Sequence, residues 1–393
     1  MAHVVVSDAE REREIAELAR RFAGLGGRPV AKVFALSWWS DHLLARAMAD
    51  AHFRARLFRF VDAFPALEGP DEVVGHLRAE FAGARVPWWF GLGLQASAGS
   101  ALSERLASGV ARRSIDRMAR QFVAGVEPED VATAVGAMWA RGTAATVDLL
   151  GEHTHSDTEG ARYARRLAAL VEALGAAAPP WAPQPLLEAD DLGPVPRASV
   201  SVKVSALSPL FAPLTAGRGV DDAEELLLPI LRRAGELGVS VWFDMERYEE
   251  KALTHALFRR LLERPELDSL HAGIVVQAYM RDAGDDLESL VHWASGRHLP
   301  PGVRLVKGAY WDTETIEAEA KGWPGPVHAT KADTDAAFED LARRLHGAHG
   351  TLRAAFASHN LRSLAAAVVD GRRAGVPDTG YELQLLYGMA EPV

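Results

Sequence analysis

The sequence predicts an α/β protein whose larger part is a (βα)8 TIM-type barrel, preceded by an α-helical N-terminal region. Two observations point to the barrel. From about residue 142, short β-rich runs alternate strictly with amphipathic helical stretches, the pattern of a parallel sheet. In the run at 199–206, Ser199, Ser201, Lys203 and Ser205 share one face, and Val200, Val202 and Val204 share the other. A doubly wound sheet is covered by helices on both sides and is apolar on both. One polar face suits the lumen of a barrel that holds a ligand. A third observation sets the first part aside: few β-branched runs interrupt the helical spacing between residue 7 and about 137.

Taken in order, Ser7 and Asp8 can cap a helix running to about Gly24. Leu43, Leu44, Ala47 and Met48 have helical spacing, as do Phe53, Leu57 and Phe58, and Ile115, Met118, Ala119 and Phe122. The expected division is a helical arm over 1–137 and a barrel over 138–393. Seven strands are read at 144–150, 199–206, 239–245, 273–279, 303–309, 352–358 and 381–387. Helices fall between them near 159–175, 222–237, 249–263, 285–296, 334–347 and 361–374. The second of these has Asp221 or Asp222 as cap, and Leu226, Leu227, Ile230, Leu231, Ala234 and Leu237 as its buried stripe. Gly238 is its stop. Residues 176–198, rich in Ala and Pro, form a long connection. The eighth βα unit is expected to lie beyond Val393.

Composition narrows the function. The formal net charge is −10, which disfavours a general nucleic-acid partner, since phosphate binding needs a basic surface. The chain has no cysteine, so disulfides, thiolate zinc sites, iron–sulfur clusters and a cysteine nucleophile are excluded. The N-terminus lacks a basic stretch followed by an apolar core, and no run of about 20 apolar residues exists. A cytoplasmic location is the expectation.

The chemistry gathers at the strand ends. Asp148 and Glu152 follow the first strand, Lys203 lies on the second, and Asp244 and Glu246 end the third. Gln277 lies on the fourth, Arg304 and Lys307 on the fifth, His359 and Asn360 after the sixth, and Gln384 on the seventh. Any one of these could be a satisfied ion pair or a solvated strand end. So many converging on one barrel mouth point to a site, because barrel active sites form there. Lys203 sits mid-strand and needs an anionic partner if it stays charged; Asp244 is the natural one. The pair could bind a substrate carboxylate, the lysine could form a Schiff base, or the two could be a buried ion pair alone. Arg304, Lys307, Lys331 and His359 together could neutralise a diphosphate and a reduced flavin ring, with a surface loop the plainer reading of Lys331.

Other motifs carry less. His153 and His155 after the first strand resemble the metal-binding pair of barrel amidohydrolases, but the fifth strand offers no histidine and the sixth only His359. The run from Gly91 to Ala96 imitates a dinucleotide fingerprint without its βαβ context. Trp38-Trp39 and Trp88-Trp89 read as packing.

The segment Arg304-Leu305-Val306-Lys307-Gly308-Ala309-Tyr310-Trp311-Asp312 resembles the fifth barrel strand of proline dehydrogenase, in the form found in proline utilisation A. Asp148-Leu149-Leu150-Gly151-Glu152, Ser201-Val202-Lys203-Val204-Ser205-Ala206-Leu207, Val275-Val276-Gln277-Ala278-Tyr279, Ser358-His359-Asn360 and the stretch from Gln384 to Glu391 match in order, covering roughly 110–393. The resemblance implies a flavoprotein that oxidises L-proline to 1-pyrroline-5-carboxylate, with FAD as cofactor. A quinone at the inner membrane surface would be the electron acceptor. Lys203 would bind the proline carboxylate, with Asp244 in support. Leu305 and Tyr310 would pack on the ring. Arg304 would lie near the flavin N5, and Gln277 would hydrogen-bond the flavin. Val306, Lys307, Gly308, Ala309 and Trp311 would line the FAD site. Thr330, Lys331, His359 and Asn360 would hold its ribityl, phosphate or adenosine parts, and Gln384 would follow on the seventh strand. Asp148 and Glu152 would border the substrate, Glu152 in the place of the family's gate carboxylate. The family's last barrel helix carries an arginine pair that clamps the carboxylate, and here it would fall beyond Val393. The alternatives are a metal-dependent barrel hydrolase built on His153 and His155, and a non-catalytic flavin-binding fragment.

Overall fold

A computed structural model describes residues 8–25, 56, 70–81, 123–151 and 153–387. The chain divides into two units, one formed by 27–123 and the other by 1–26 with 124–391. The larger unit opens with helix α1 (Asp8–Leu25), whose Asp8 and Glu10 lie in the first turn, where acidic groups suit the helix dipole. In the smaller unit the described helix is α2 (Pro70–Phe81), and Arg56 donates to the Glu80 carbonyl. The helical spacings expected around 43–48, 53–58 and 115–122 lie outside the described residues, as do Glu152, the glycines at 91–93 and both tryptophan pairs.

The rest of the larger unit alternates as expected. After α3 (Pro128–Trp139) come β1 (Thr146–Asp148) and α4 (Asp157–Ala177). Ser156 caps α4 by accepting the Glu159 N–H, and the Glu159 carboxylate reaches back to the His155 N–H at 3.0 Å. The 176–198 connection holds a short α5 (Pro185–Glu188) and a small hairpin of β2 (Ala189–Asp190) and β3 (Gly193–Pro194). Arg353 ties that hairpin to the sheet through Asp190 at 2.6 Å. There follow β4 (Ala198–Val202), α6 (Ala216–Leu237), β5 (Val239–Phe243) and α7 (Tyr248–Leu262). Next are β6 (Ala272–Gln277), α8 (Ala283–Ala294), β7 (Gly302–Val306), α9 (Trp311–Lys321) and α10 (Lys331–Gly347). The last are β8 (Arg353–Ala357), α11 (Leu361–Arg373) and β9 (Tyr381–Gln384).

The sheet runs β1-β4-β5-β6-β7-β8-β9, every neighbouring pair parallel. It is curled. Arg304 on β7 reaches Ser201 on β4 at 3.2 Å and Gln384 on β9 at 2.7 Å. A flat sheet would separate β4 from β7 by about 14 Å, beyond the span of one side chain. The seven-strand reading and the barrel-type class therefore stand.

Two expectations shift. α6 starts at Ala216, so Asp221 and Asp222 lie inside it rather than capping it. A 3-10 turn at Pro213–Thr215 feeds the helix earlier, and Gly219 lets it approach the Leu210 carbonyl. α9 was not anticipated, because Trp311 and Ile316 are exposed and leave no clear buried stripe. The Gly238 stop is as expected, with φ 65° in the left-handed region.

Each strand faces two ways. Val202, Phe243, Ile274 and Val303 stand in register, all fully buried beneath the helices. The other face is the concave one. α1 packs outside on α11, with Ile15 fully buried and Arg11 bonded to Asp370 at 2.6 and 2.7 Å.

Candidate active site at the strand ends

Register builds the site. On the concave face Ser201, Trp242, Gly273 and Gly302 stand opposite one another on four neighbouring strands. Side chains repeat every two residues, so Lys203, Asp244, Val275 and Arg304 form the next row toward the carboxyl ends. The strand ladder continues to that row, with the Asp244 N–H donating to the Val202 carbonyl at 3.0 Å.

In that row the charges meet. Lys203 is 8% exposed and donates to Asp148 at 2.5 Å and to Asp244 at 3.4 Å. Burial works against its charge, but Asp244 and Asp148 outweigh it and hold the ammonium above the usual lysine range. The expected Lys203–Asp244 pair is present, with Asp148 as a second acceptor. The Tyr163 hydroxyl, from α4, accepts the Lys203 backbone N–H at 3.0 Å. Arg304 Nη1 donates to Asp244 at 3.0 Å, so one carboxylate serves two cations. Burial raises the Asp244 carboxyl, and Arg304 and Lys203 act in the opposite direction. Arg304 Nε donates to Gln384, whose amide in turn donates to Glu382 at 2.8 Å. Leu305 alternates onto the opposite face of β7 and is fully buried, away from Arg304.

A second cluster lies beyond the end of β7. Lys307 and Lys331 both donate to Asp335, Lys331 at 2.7 Å, and the Lys307 ammonium stands 5.7 Å from the Phe338 ring. Burial lowers Lys307, opposed by Asp335. Lys331 begins α10, which Thr330 caps by accepting the Asp333 N–H at 3.2 Å. Gly308 has φ 121°, and a Cβ there would enter the Tyr279 ring. Ala309 is exposed, Tyr310 precedes α9, and Trp311 donates to the His328 carbonyl at 2.8 Å.

Buried polar atoms remain open. The Gln277 amide donates to the Met245 and Glu246 carbonyls at 3.2 and 3.0 Å, while its Oε1 is buried with no partner among the described residues. His359 Nε2 accepts the Leu386 N–H at 3.1 Å, which puts the proton of the neutral ring on Nδ1. That Nδ1 is buried and unpartnered among the described residues. Asn360 caps α11, accepting from Arg362 at 3.0 Å and Ser363 at 3.3 Å.

His153 and His155 stand with ring centroids 5.9 Å apart, and His153 faces Glu250 at 3.4 Å. Among the described residues no three His, Asp or Glu side chains are grouped to hold a metal ion. Sequence reasoning missed Trp242, Tyr163 and Asp335. Gly273 and Gly302 were the available signal for Trp242, since glycine inside a strand marks a close approach.

A curled parallel sheet with convergent charge at its carboxyl ends defines a barrel-type α/β enzyme site. Residues 131–393 match the proline dehydrogenase family model, and 12–122 match the proline utilization A N-terminal domain. The chain belongs to the proline dehydrogenase family. A crystal structure of proline utilization A from Bdellovibrio bacteriovorus, inactivated by N-propargylglycine, superposes with TM-score 0.84 at 34% identity. It is matched over 98% of this chain and 38% of that one. The bifunctional protein PutA of Klebsiella aerogenes is 28% identical over 70% of this chain and 20% of its own. The proline dehydrogenase of Deinococcus radiodurans is 29% identical over 71% of this chain and 77% of its own. The chain thus spans about a fifth of the length of the bifunctional relative. No described helix is long and apolar enough to cross a membrane.

Proposed function

We propose that this chain oxidises L-proline to 1-pyrroline-5-carboxylate, using FAD, with a quinone as the final electron acceptor. One observation carries most weight: in a member of the proline dehydrogenase family, the buried Lys203 and the partly buried Arg304 share the Asp244 carboxylate on the concave face of a curled sheet. The quinone, and any contact with a membrane surface, rest on the resemblance alone.

The residues suit a flavin. Gln277 Oε1 is a buried acceptor awaiting a ring N–H, and His359 Nδ1 is a buried donor. Lys307 and Lys331, beside the Thr330-capped start of α10, suit a diphosphate. In this reading Gln277, Arg304, Val306, Lys307, Gly308, Ala309, Trp311, Thr330, Lys331, His359, Asn360 and Gln384 hold the cofactor. Bound FAD supplies the acceptor for a hydride.

The chain's own groups bind and orient. Lys203 has three N–H donors; Asp148 and Asp244 take two, and the third, which donates to none of the described residues, is left for the proline carboxylate. Asp244 keeps that ammonium fixed. Arg304 Nη2 donates to none of the described residues and faces developing negative charge as a preset cation. Tyr310 packs on the proline ring, and Asp148 and Glu152 border it; the packing of Leu305 on the ring that the resemblance implies does not fit its place on the opposite face of β7. The proline amine must be neutral to release hydride, so turnover rises with pH. The helical arm over 1–137 and the barrel over 138–393 remain the proposed domains.

The test is the absorption spectrum of the purified chain mixed with FAD and desalted. Retained flavin bands that bleach with proline under anaerobic conditions are expected. No retained flavin would sink the proposal.

A further inference from the structure

Trp242 has no part in the reading above, yet it sits at the centre of the concave face. It lies in register with Ser201 on one side and Gly273 on the other. It is 9% exposed. A Cβ on Gly273 would enter its ring, and one on Gly302 would come within 2.7 Å of it. The ring therefore spreads across two neighbouring strands, over the space that two absent side chains leave. Real Cβ atoms do not approach so closely, so both glycines are needed for this placement.

The Arg304 guanidinium carbon lies 4.5 Å from the Trp242 ring centroid. That is within the range of a cation–π contact, and tryptophan is the best partner for one. The same guanidinium is fixed at its edge by Ser201, Asp244 and Gln384. Edge bonds restrain a planar group within its plane. A ring packed against the guanidinium adds a restraint that edge bonds alone do not give, and Trp242 lies where it can supply one.

We propose that Trp242 is a positioning residue for proline oxidation: its ring fixes the tilt of the Arg304 guanidinium and so the direction of Nη2, which donates to none of the described residues. The proposal rests on the flavin reading of Arg304, and it separates from that reading because the Trp242–Arg304 contact exists without flavin.

The test has two parts. In flavin-free, full-length protein labelled with 15N at arginine Nε, the Nε–H resonance lost in R304Q is assigned to Arg304. Ring current should shift it, with the shift largely kept in W242F and lost in W242L. An Arg304 signal indifferent to W242L overturns the proposal whatever the flavin does. In the FAD-loaded protein, W242L should slow flavin reduction by proline about tenfold, the scale of a partly desolvated cation–π contact. W242F should restore most of that rate. In an R304Q background W242L should add little, because Trp242 acts through Arg304. Independent, multiplying losses would show a merely structural role and overturn the proposal. If R304Q alone leaves flavin reduction unchanged while the ring-current shift persists, the flavin role of Arg304 fails and the positioning role falls with it. Thermal unfolding of each variant identifies any loss due to misfolding, and W242F then carries the comparison.

Discussion

The guanidinium of Arg304 donates to the carboxylate of Asp244 at 3.0 Å although the whole of β6 lies between their strands. The curl of the sheet brings them together, and Lys203 joins the same carboxylate from the next strand.

Removing that carboxylate takes a partner from two cations: Lys203 keeps Asp148, while Arg304 loses the ion pair it makes among the described residues. Arg304 and Lys203 side chains are only 12% and 10% exposed. Breaking a buried pair by deleting one partner costs several kcal/mol. Asp244→Ala is expected to lower stability by about 3 kcal/mol. Urea unfolding measures it; a loss below about 1 kcal/mol would mean that solvent already screens the cluster.

On the proposed reading Lys203 offers its remaining N–H to substrate, so its loss should act on proline more than on flavin. A hydrogen bond to a charged group contributes about 1.5–3 kcal/mol, which converts to a rise of at least tenfold in the apparent KM for proline. For Lys203→Ala, titration with proline and the flavin absorbance of the same sample check both halves. An unchanged KM refutes the role.

Glu250 gives a pH dependence. Burial, with Glu246 adding to it, raises this carboxyl to about 7 from 4.5. A raised acid binds its proton more tightly folded than unfolded, so its contribution is present at low pH and is lost as pH rises from about 4.5 to about 7. Glu250→Gln, which cannot ionise, should flatten that decline and leave the variant about 1–3 kcal/mol more stable than the parent at pH 8. Denaturation at pH 5 and pH 8 decides it. Equal slopes for both proteins would place the Glu250 carboxyl in the ordinary range.

Gly308 carries φ 121° with no room for a side chain beside Tyr279. Gly308→Ala combines backbone strain with a steric clash, and about 2 kcal/mol of destabilisation is expected. A thermal shift assay reads it. Adding Tyr279→Leu to Gly308→Ala should recover part of the loss if the clash matters, and recover nothing if strain alone does.

Much of this was legible in one dimension. Strict alternation of strand and helix, the serine–lysine face of β4, and glycine after α6 set the class, the positions of the sheet's seven strands and the concave side. Local chemistry dictates each of them. Hydrophobic period, helix stop and strand face are properties of neighbours in sequence. Lys203, Asp244 and Arg304 stood out because charge inside a strand needs a reason.

What tertiary structure decided was which charges share a partner. Asp148 joined Lys203, Asp335 joined Lys307, and the Tyr163 hydroxyl took the Lys203 N–H. These pairings span 28 to 55 residues of chain and are fixed by sheet curl and helix docking. α1 likewise packs on α11, with Arg11 and Asp370 lying 359 residues apart in sequence. Trp242 shows the limit most plainly. Its own strand reads as ordinary packing, and only the empty positions at Gly273 and Gly302 on two other strands turn it beneath Arg304. Spacing along a chain predicts which face a side chain takes, but close contact between faces depends on volume left vacant elsewhere.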